Sequence, residues 1–165
     1  MHRTRAVLVG LLLAVAVSST ARAAAPEKIT ATLDGRLIPA SEIAEHDCHD
    51  LDFPIIRCFA EASDRDASLS VLAGLHVAAA AGLTYVTVWD GTNFTGASIT
   101  LSQNYDTLVT IGWNDAISSF KGRNSETGRF YVDWFHGGAS YSFCCNQQVG
   151  SLGTLNNTFT SVYRT

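Results

Sequence analysis

The rhythm of apolar and polar residues changes near residue 83. Before it, "DASLSVLAGLHVAAAAG" (66–82) is rich in Ala and Leu, which predicts a helix ending at Gly82. After it, "LTYVTVWDG" (83–91) alternates, uses β-branched and aromatic residues, and closes on Asp-Gly, as a strand entering a hairpin does. "ASITL", "TLVTIGW", "GRFYVDWF", "ASYSF" and "TSVY" repeat that texture, with Gly and Asn between them. Short strands so closely spaced predict an all-β sandwich or barrel and not an α/β fold. Upstream, "ITATLDGRLIP" predicts a short hairpin around Asp34-Gly35, and "SEIAEHDCHD" starts on Ser41 and predicts one or two helical turns.

The strand-rich part repeats itself. "NFTGASITL" (93–101) lies over "WFHGGASYSF" (134–143): Phe, any residue, Gly, then Ala-Ser and an alternating run. Two polar strings recur with them, "WNDAISSF" (113–120) and "LNNTFTSV" (155–162). Phe94 precedes Ser119 by 25 positions and Phe135 precedes Ser161 by 26. Two units, about 83–123 and 128–165, each of about four strands, are what a duplicated Greek key requires.

From Tyr85 to Thr165, about half of the chain, these residues resemble a βγ-crystallin domain. The resemblance rests on Trp89, Phe94-Thr-Gly96 and "NDAISS" in the first unit. In the second it rests on Tyr131, Phe135-His-Gly137 and "NNTFTS", with a shortened loop before Phe135. It implies a β-sandwich of two Greek keys with calcium sites shared between the units. Side-chain ligands would be Asp115 and Ser118, and Asn157 and Thr160, in strings opened by Asn114 and Asn156. Carbonyls would come from Ala116 and Thr158, with Asp90 and Asp133 contributing from the hairpin loops. Ser119 and Ser161 would hydrogen-bond the folded hairpins, which Gly96 and Gly137 would bend through positive φ. The core would be Trp89, Phe94, Trp113, Ile117 and Phe120 with Phe130, Phe135, Tyr141 and Phe159.

A tight turn of Asn, Asp, Ser and Thr offers the oxygens that Ca²⁺ takes six to eight of. The same residues also cap turns with no metal at all. Neither string has lost an oxygen-bearing position, which favours binding. Only Asp115 is charged within them, so the affinity expected is weak, as in extracellular modules.

Composition changes the picture in three places. At 165 residues, 47% hydrophobic and 16% charged, the chain can build a real core. A net charge of −4, with no basic run after the N-terminus, argues against a nucleic-acid partner. "MHRTR", "AVLVGLLLAVAV" and "SSTARAAA" supply the basic, apolar and small-residue parts of an export signal. Residues 1–23 are thus a predicted leader, with Ala24 near the mature start; the apolar run is shorter than the roughly 20 residues of a membrane span. A secreted protein results, with residues 24–80 as an N-terminal extension, a pro-segment or a stapled subdomain, before the domain at 83–165.

Export makes Cys48, Cys58, Cys144 and Cys145 disulfide candidates. Of three pairings, the one joining neighbours Cys144 and Cys145 demands strained geometry. The other two tie "HDCHDLDFPIIRC" to the C-terminal half, and such a staple is expected. An oxidised Cys48 would also remove the best ligand from "HDCHDLD" as a transition-metal site. The sequence holds no HExxH, EF-hand, phosphate-loop or G-x-S-x-G string, so an enzyme is not expected.

Two functions stay open. One is a secreted calcium-binding protein with a structural or binding role, toward an envelope component. The other is inhibition of an extracellular protease. The chain is similar to the crystallin-like microbial metalloprotease inhibitors in size, export signal and cysteines, and the segment near Cys144 is the candidate docking loop.

Overall fold

The computed structural model describes residues 28–77 and 83–165. The predicted leader and the helix end at Gly82 lie outside the described residues.

The chain opens on β1 (Thr30–Leu33) and β2 (Arg36–Ile38), joined at Asp34 (φ 47°) and Gly35 (φ 81°). Positive φ at both turn residues matches the turn to strand twist, and Asp-Gly accepts it at low cost. A 3₁₀ turn at Ala40–Glu45 leads into β3 (Asp47–Asp52), β4 (Ile55–Phe59) and α1 (Ala62–Val77). The helical reading of "SEIAEHDCHD" therefore holds for its first half only. The crystallin-like part follows with β5 (Tyr85–Trp89), β6 (Ser98–Leu101), β7 (Ser119–Arg123), β8 (Gly128–Tyr131), β9 (Ser140–Phe143), β10 (Gln148–Val149) and β11 (Ser161–Arg164).

One sheet runs β10-β7-β5-β6-β3-β4-β1-β2 and the other β11-β8-β9. The units exchange strands: β10 of the second pairs with β7 of the first, while Tyr105 of the first bridges Val162 in β11. That exchange makes a β-sandwich of two Greek keys, as the pattern required. Val86 and Val88 of β5 alternate inward, and Ile99 and Leu101 of β6 join them, all fully buried. Phe130 centres the core, with ring centroids 4.8 Å from Phe143, 5.3 Å from Phe159 and 5.4 Å from Phe120. Arg164 in β11 grips the buried Glu126 of the segment between the units, with Nε–Oε1 3.0 Å and Nη2–Oε2 2.6 Å.

"TLVTIGW" was expected as a strand, but Leu108–Ile111 is a 3₁₀ turn. Thr107 Oγ1 accepts from Val109 N at its start and Gly112 (φ 73°) closes it. Leu108 and Ile111 are both buried and Val109 exposed, the three-residue spacing of such a turn.

The extension continues the first sheet. β3 runs parallel to β6, pairing Asp47 with Ser98 and His49 with Thr100. α1 lies over β3 and β4, and its buried Arg65 bonds Asp47 Oδ1 at 3.1 Å and also Ser98 Oγ. This cover explains why Ser98 and Thr100, on the face turned away from the sandwich core, are fully buried.

The expected staple does not form. Cys48 and Cys58 face each other across β3 and β4 and are joined to one another. Cys144 and Cys145 are free and exposed in the turn after β9. The β3–β4 hairpin brings its own two cysteines together, so one disulfide forms without forcing a bond between the neighbours. The rest of "HDCHDLD" is committed elsewhere. Asp50 accepts from Ser102 N at 2.5 Å and Tyr105 Oη at 2.9 Å, His49 Nε2 meets Ser68 Oγ at 3.0 Å, and Asp52 pairs with Arg57. Among the described residues no cluster of His, Cys, Asp and Glu could hold a metal ion.

Candidate functional site

The two polar strings meet at one edge of the sandwich and are bonded reciprocally. Asp115 N donates to Phe159 O at 2.9 Å, and Asn157 N donates to Ile117 O at 3.0 Å. Asp115 and Asn157 each have φ 55°, a left-handed conformation that Asp and Asn tolerate best. Ser118 N bonds Trp89 O, and Thr160 N bonds Tyr131 O, both at 2.8 Å. The duplicated pattern is thus a duplicated geometry.

At the first string three oxygens converge. Ser118 Oγ lies 2.6 Å from the Asp90 carbonyl and 2.8 Å from Asn157 Oδ1, so the set spans both units. Burial pushes the Asp90 carboxyl above its ordinary value, against opposing hydrogen bonds from the loop backbone. Each string also holds a buried amide oxygen without a partner among the described residues, Asn114 Oδ1 and Asn156 Oδ1. Hard neutral oxygens and orphaned acceptors are the donor chemistry a divalent cation satisfies. The residues fit such an ion.

At the second string the same places are held by Thr160, Val132 and Asp115. Thr160 Oγ1 makes no hydrogen bond among the described residues, and Asp115 Oδ2 accepts from Asn114 Nδ2 at 2.6 Å. Thr158 Oγ1 donates to Leu155 O at 2.8 Å, while Ala116 is half-buried between Asp115 and Ile117.

The hairpin loops show a register that the sequence comparison misplaced by one. Asp90 N bonds Ala97 O and Gly91 N bonds Thr95 O; Val132 N bonds Ala139 O and Asp133 N bonds Gly137 O. Hence Asp133 stands where Gly91 does, and His136 stands where Phe94 does. Ser119 Oγ accepts from Phe94 N and donates to Gly91 O, and Ser161 Oγ accepts from His136 N and donates to Asp133 O. The two serines thus fold the hairpins as expected. The positive φ belongs to Gly96 (81°) and Gly138 (73°); Gly137 has φ −95°. Phe135 consequently leaves the core: it is 72% exposed at φ 53°, while its counterpart Asn93 has φ 54°. Trp89, Phe94 and Tyr141 are half-buried, and Trp113, Ile117, Phe120, Phe130 and Phe159 are buried. "GRFYVDWF" was expected as one strand, but β8 ends at Tyr131 and Trp134, 58% exposed, lies in the 3₁₀ turn that follows.

Crossed Greek keys with paired polar strings define a βγ-crystallin-like domain. Residues 84–143, about a third of the chain, match the model of peptidase inhibitor family I36. Among solved structures the chain is similar to a βγ-crystallin domain from Clostridium beijerinckii, at 27% identity over 48% of this chain and 95% of that one, with TM-score 0.44. It is also similar to the N-terminal domain of Protein S (24%, 49% and 94%, TM-score 0.44) and to a βγ-crystallin from an Archaea (24%, 51% and 100%, TM-score 0.43). No curated protein matches. No helix among the described residues is long and apolar enough to cross a membrane.

Proposed function

We propose that the protein is an exported inhibitor of peptidases, built on a crystallin-type domain. The observation that carries this is the match of residues 84–143 to peptidase inhibitor family I36. Inhibitors and crystallin domains are non-enzymatic kinds of protein, and the partner is an extracellular peptidase that the secreted chain meets outside the cell. Cys144 and Cys145 are free, so a disulfide-bound docking loop there has lost its support. The test is inhibition by the full secreted chain of a panel of secreted endopeptidases: a zinc metalloendopeptidase, a subtilisin-type and a chymotrypsin-type serine peptidase. Residual activity equal to the uninhibited control across that panel refutes it.

A second reading accompanies the first because Asp90 O, Ser118 Oγ and Asn157 Oδ1 converge. The domain takes up calcium between its units, with Asn114 and Asp115 and then Asn156 and Thr160 completing the donor sets. Bound calcium would tie one unit to the other and stabilise the fold by mass action, about 1–2 kcal/mol for millimolar ion and a submillimolar site. Asp115 and Asn157 sit in left-handed backbone, so the fair variants keep that tolerance. Asp115→Asn removes the sole charge and should weaken binding; Asn157→Asp adds one and should tighten it. Calorimetric titration, with melts in calcium and in chelator, checks both, and identical melts with no heat refute the reading.

A further inference from the structure

We propose that Trp134 and Phe135, at the tip of the β8–β9 hairpin, are the apolar wedge that enters the peptidase's substrate cleft. This rests on the inhibitor reading above and names the surface that carries it out.

The two copies of the hairpin make the case by their difference. The same left-handed position holds Asn93 in the first copy and Phe135 in the second. Asn suits that backbone; a bulky aromatic does not, and such a placement costs on the order of 1–3 kcal/mol. Burial does not offset the cost, because Phe135 is 72% exposed and Trp134 beside it 58%. The first copy ends differently, its Phe94 folding onto Trp89 at 5.5 Å between ring centroids. Two aromatics held in water, Phe135 on strained backbone and Trp134 beside it, contribute little to this fold, and large aromatics are what dominate binding hot spots.

The tip is also rigid. Phe135 N donates to Asp106 O at 2.9 Å, His136 N to Ser161 Oγ at 3.0 Å, and Gly137 N to Trp134 O at 3.2 Å. The His136 ring packs between Tyr131 (5.6 Å) and Tyr163 (5.2 Å), anchoring the base. A loop held in one shape before docking has less ordering entropy to lose, which is the main requirement of a tight inhibitor. The occupant follows from the match to family I36, whose span, 84–143, contains the tip. An apolar, concave cleft accepts such side chains. The backbone at Phe135 (φ 53°) and His136 (φ 62°) is far from extended, so the tip fills the cleft without presenting a scissile bond in the strand-like form a peptide takes there.

The experiment compares wild type with Trp134→Ala, with Phe135→Asn and with Leu37→Ala, a distant residue 73% exposed. Inhibition constants are measured on the peptidase panel, together with melting temperature, elution volume and mass after long incubation. Loss of either aromatic should weaken inhibition about thirtyfold or more. Phe135→Asn, which places at this position the Asn that the first hairpin carries at 93, should melt no lower than wild type, and Leu37→Ala should inhibit normally. The chain should stay uncut between residues 133 and 137. Inhibition unchanged in both tip variants overturns the wedge and leaves the inhibitor reading standing. So does a change in elution volume alone, which would make the tip a self-association surface. Wild type that inhibits nothing overturns both.

Discussion

His49 sits where acid should attack this fold. It is fully buried between the sheet and α1, and desolvation holds its imidazole down at about 4 from an ordinary 6.5. Asp52 nearby opposes that effect, while Arg57 and Arg65 add to it. The folded state therefore keeps His49 neutral at pH values where the unfolded chain has already taken up a proton. Its contribution to stability is complete above pH 6.5 and is lost as pH falls toward 4. The gap between 6.5 and about 4 corresponds to about 3.4 kcal/mol at about 1.4 kcal/mol for each pH unit. Most of that, about 2.5 kcal/mol, falls between pH 7.5 and pH 4.5. The assay is urea unfolding followed by tryptophan fluorescence, to which the buried Trp113 contributes, for wild type and His49→Gln, at several pH values across that range. Asp50, pushed up by its own burial, pulls stability the other way as pH rises, but it is common to both proteins and cancels in the difference. The variant's curve should be flatter than wild type by about 2.5 kcal/mol. Parallel curves would show that His49 titrates in the folded protein as it does in water, and the reasoning would fail.

Phe130→Ala empties the centre of the Phe cluster and should cost about 3–5 kcal/mol, read as a lower urea midpoint at unchanged slope. Glu126→Ala leaves Arg164, whose side chain is only 12% exposed, without its carboxylate, and should cost about 3–5 kcal/mol in the same measurement. Gly138→Ala forces a Cβ to 2.5 Å from Asp133 Oδ2 at φ 73°, so its melting temperature should fall clearly. Gly137→Ala, with its nearest neighbour at 3.3 Å and negative φ, should fall much less; the reverse order would return the hairpin to the register read from sequence.

The sandwich was legible because its determinants are periodic: Val86 and Val88 alternate inward, and "NDAISS" and "NNTFTS" sit at fixed distances from their hairpins. Legibility ended where one residue of offset changes the outcome. Phe135 and His136 are neighbours, and Phe-x-Gly fits at 94–96 and at 135–137 equally well on paper. The hairpin's own backbone bonds, together with those of Ser161, decide that His136 takes the aromatic place. "TLVTIGW" misled for a related reason, since β-branched residues read as strand unless a capping Thr107 and a closing Gly112 are weighed together. The cysteines misled because pairing depends on which strands lie side by side, and β3 opposite β4 is a tertiary fact. The parallel junction of β3 with β6 left no local trace, having no turn to announce it.

A duplicated unit is its own control. Where the copies agree, the geometry demands the residue type: Ser119 and Ser161 fold their hairpins, and Gly96 and Gly138 turn them. Where they diverge without damage to the fold, something other than folding is at stake. Two divergences stand out, and they lie apart. At the strings, Asp115 faces the role that Asn157 fills in the other unit, a difference of one charge on otherwise matched backbone. At the hairpin tips, Asn93 gives way to Phe135 against both propensity and burial. On the calcium reading the first divergence would alter how strongly oxygens hold a cation; on the inhibitor reading the second would alter what a surface can grip. The proposed ion binding and the proposed partner binding therefore rest on separate residues. A Phe135→Asn protein should keep any calcium-dependent rise in melting temperature, and an Asp115→Asn protein that loses that rise should still inhibit while calcium-free, provided the measurement is made well below its melting point.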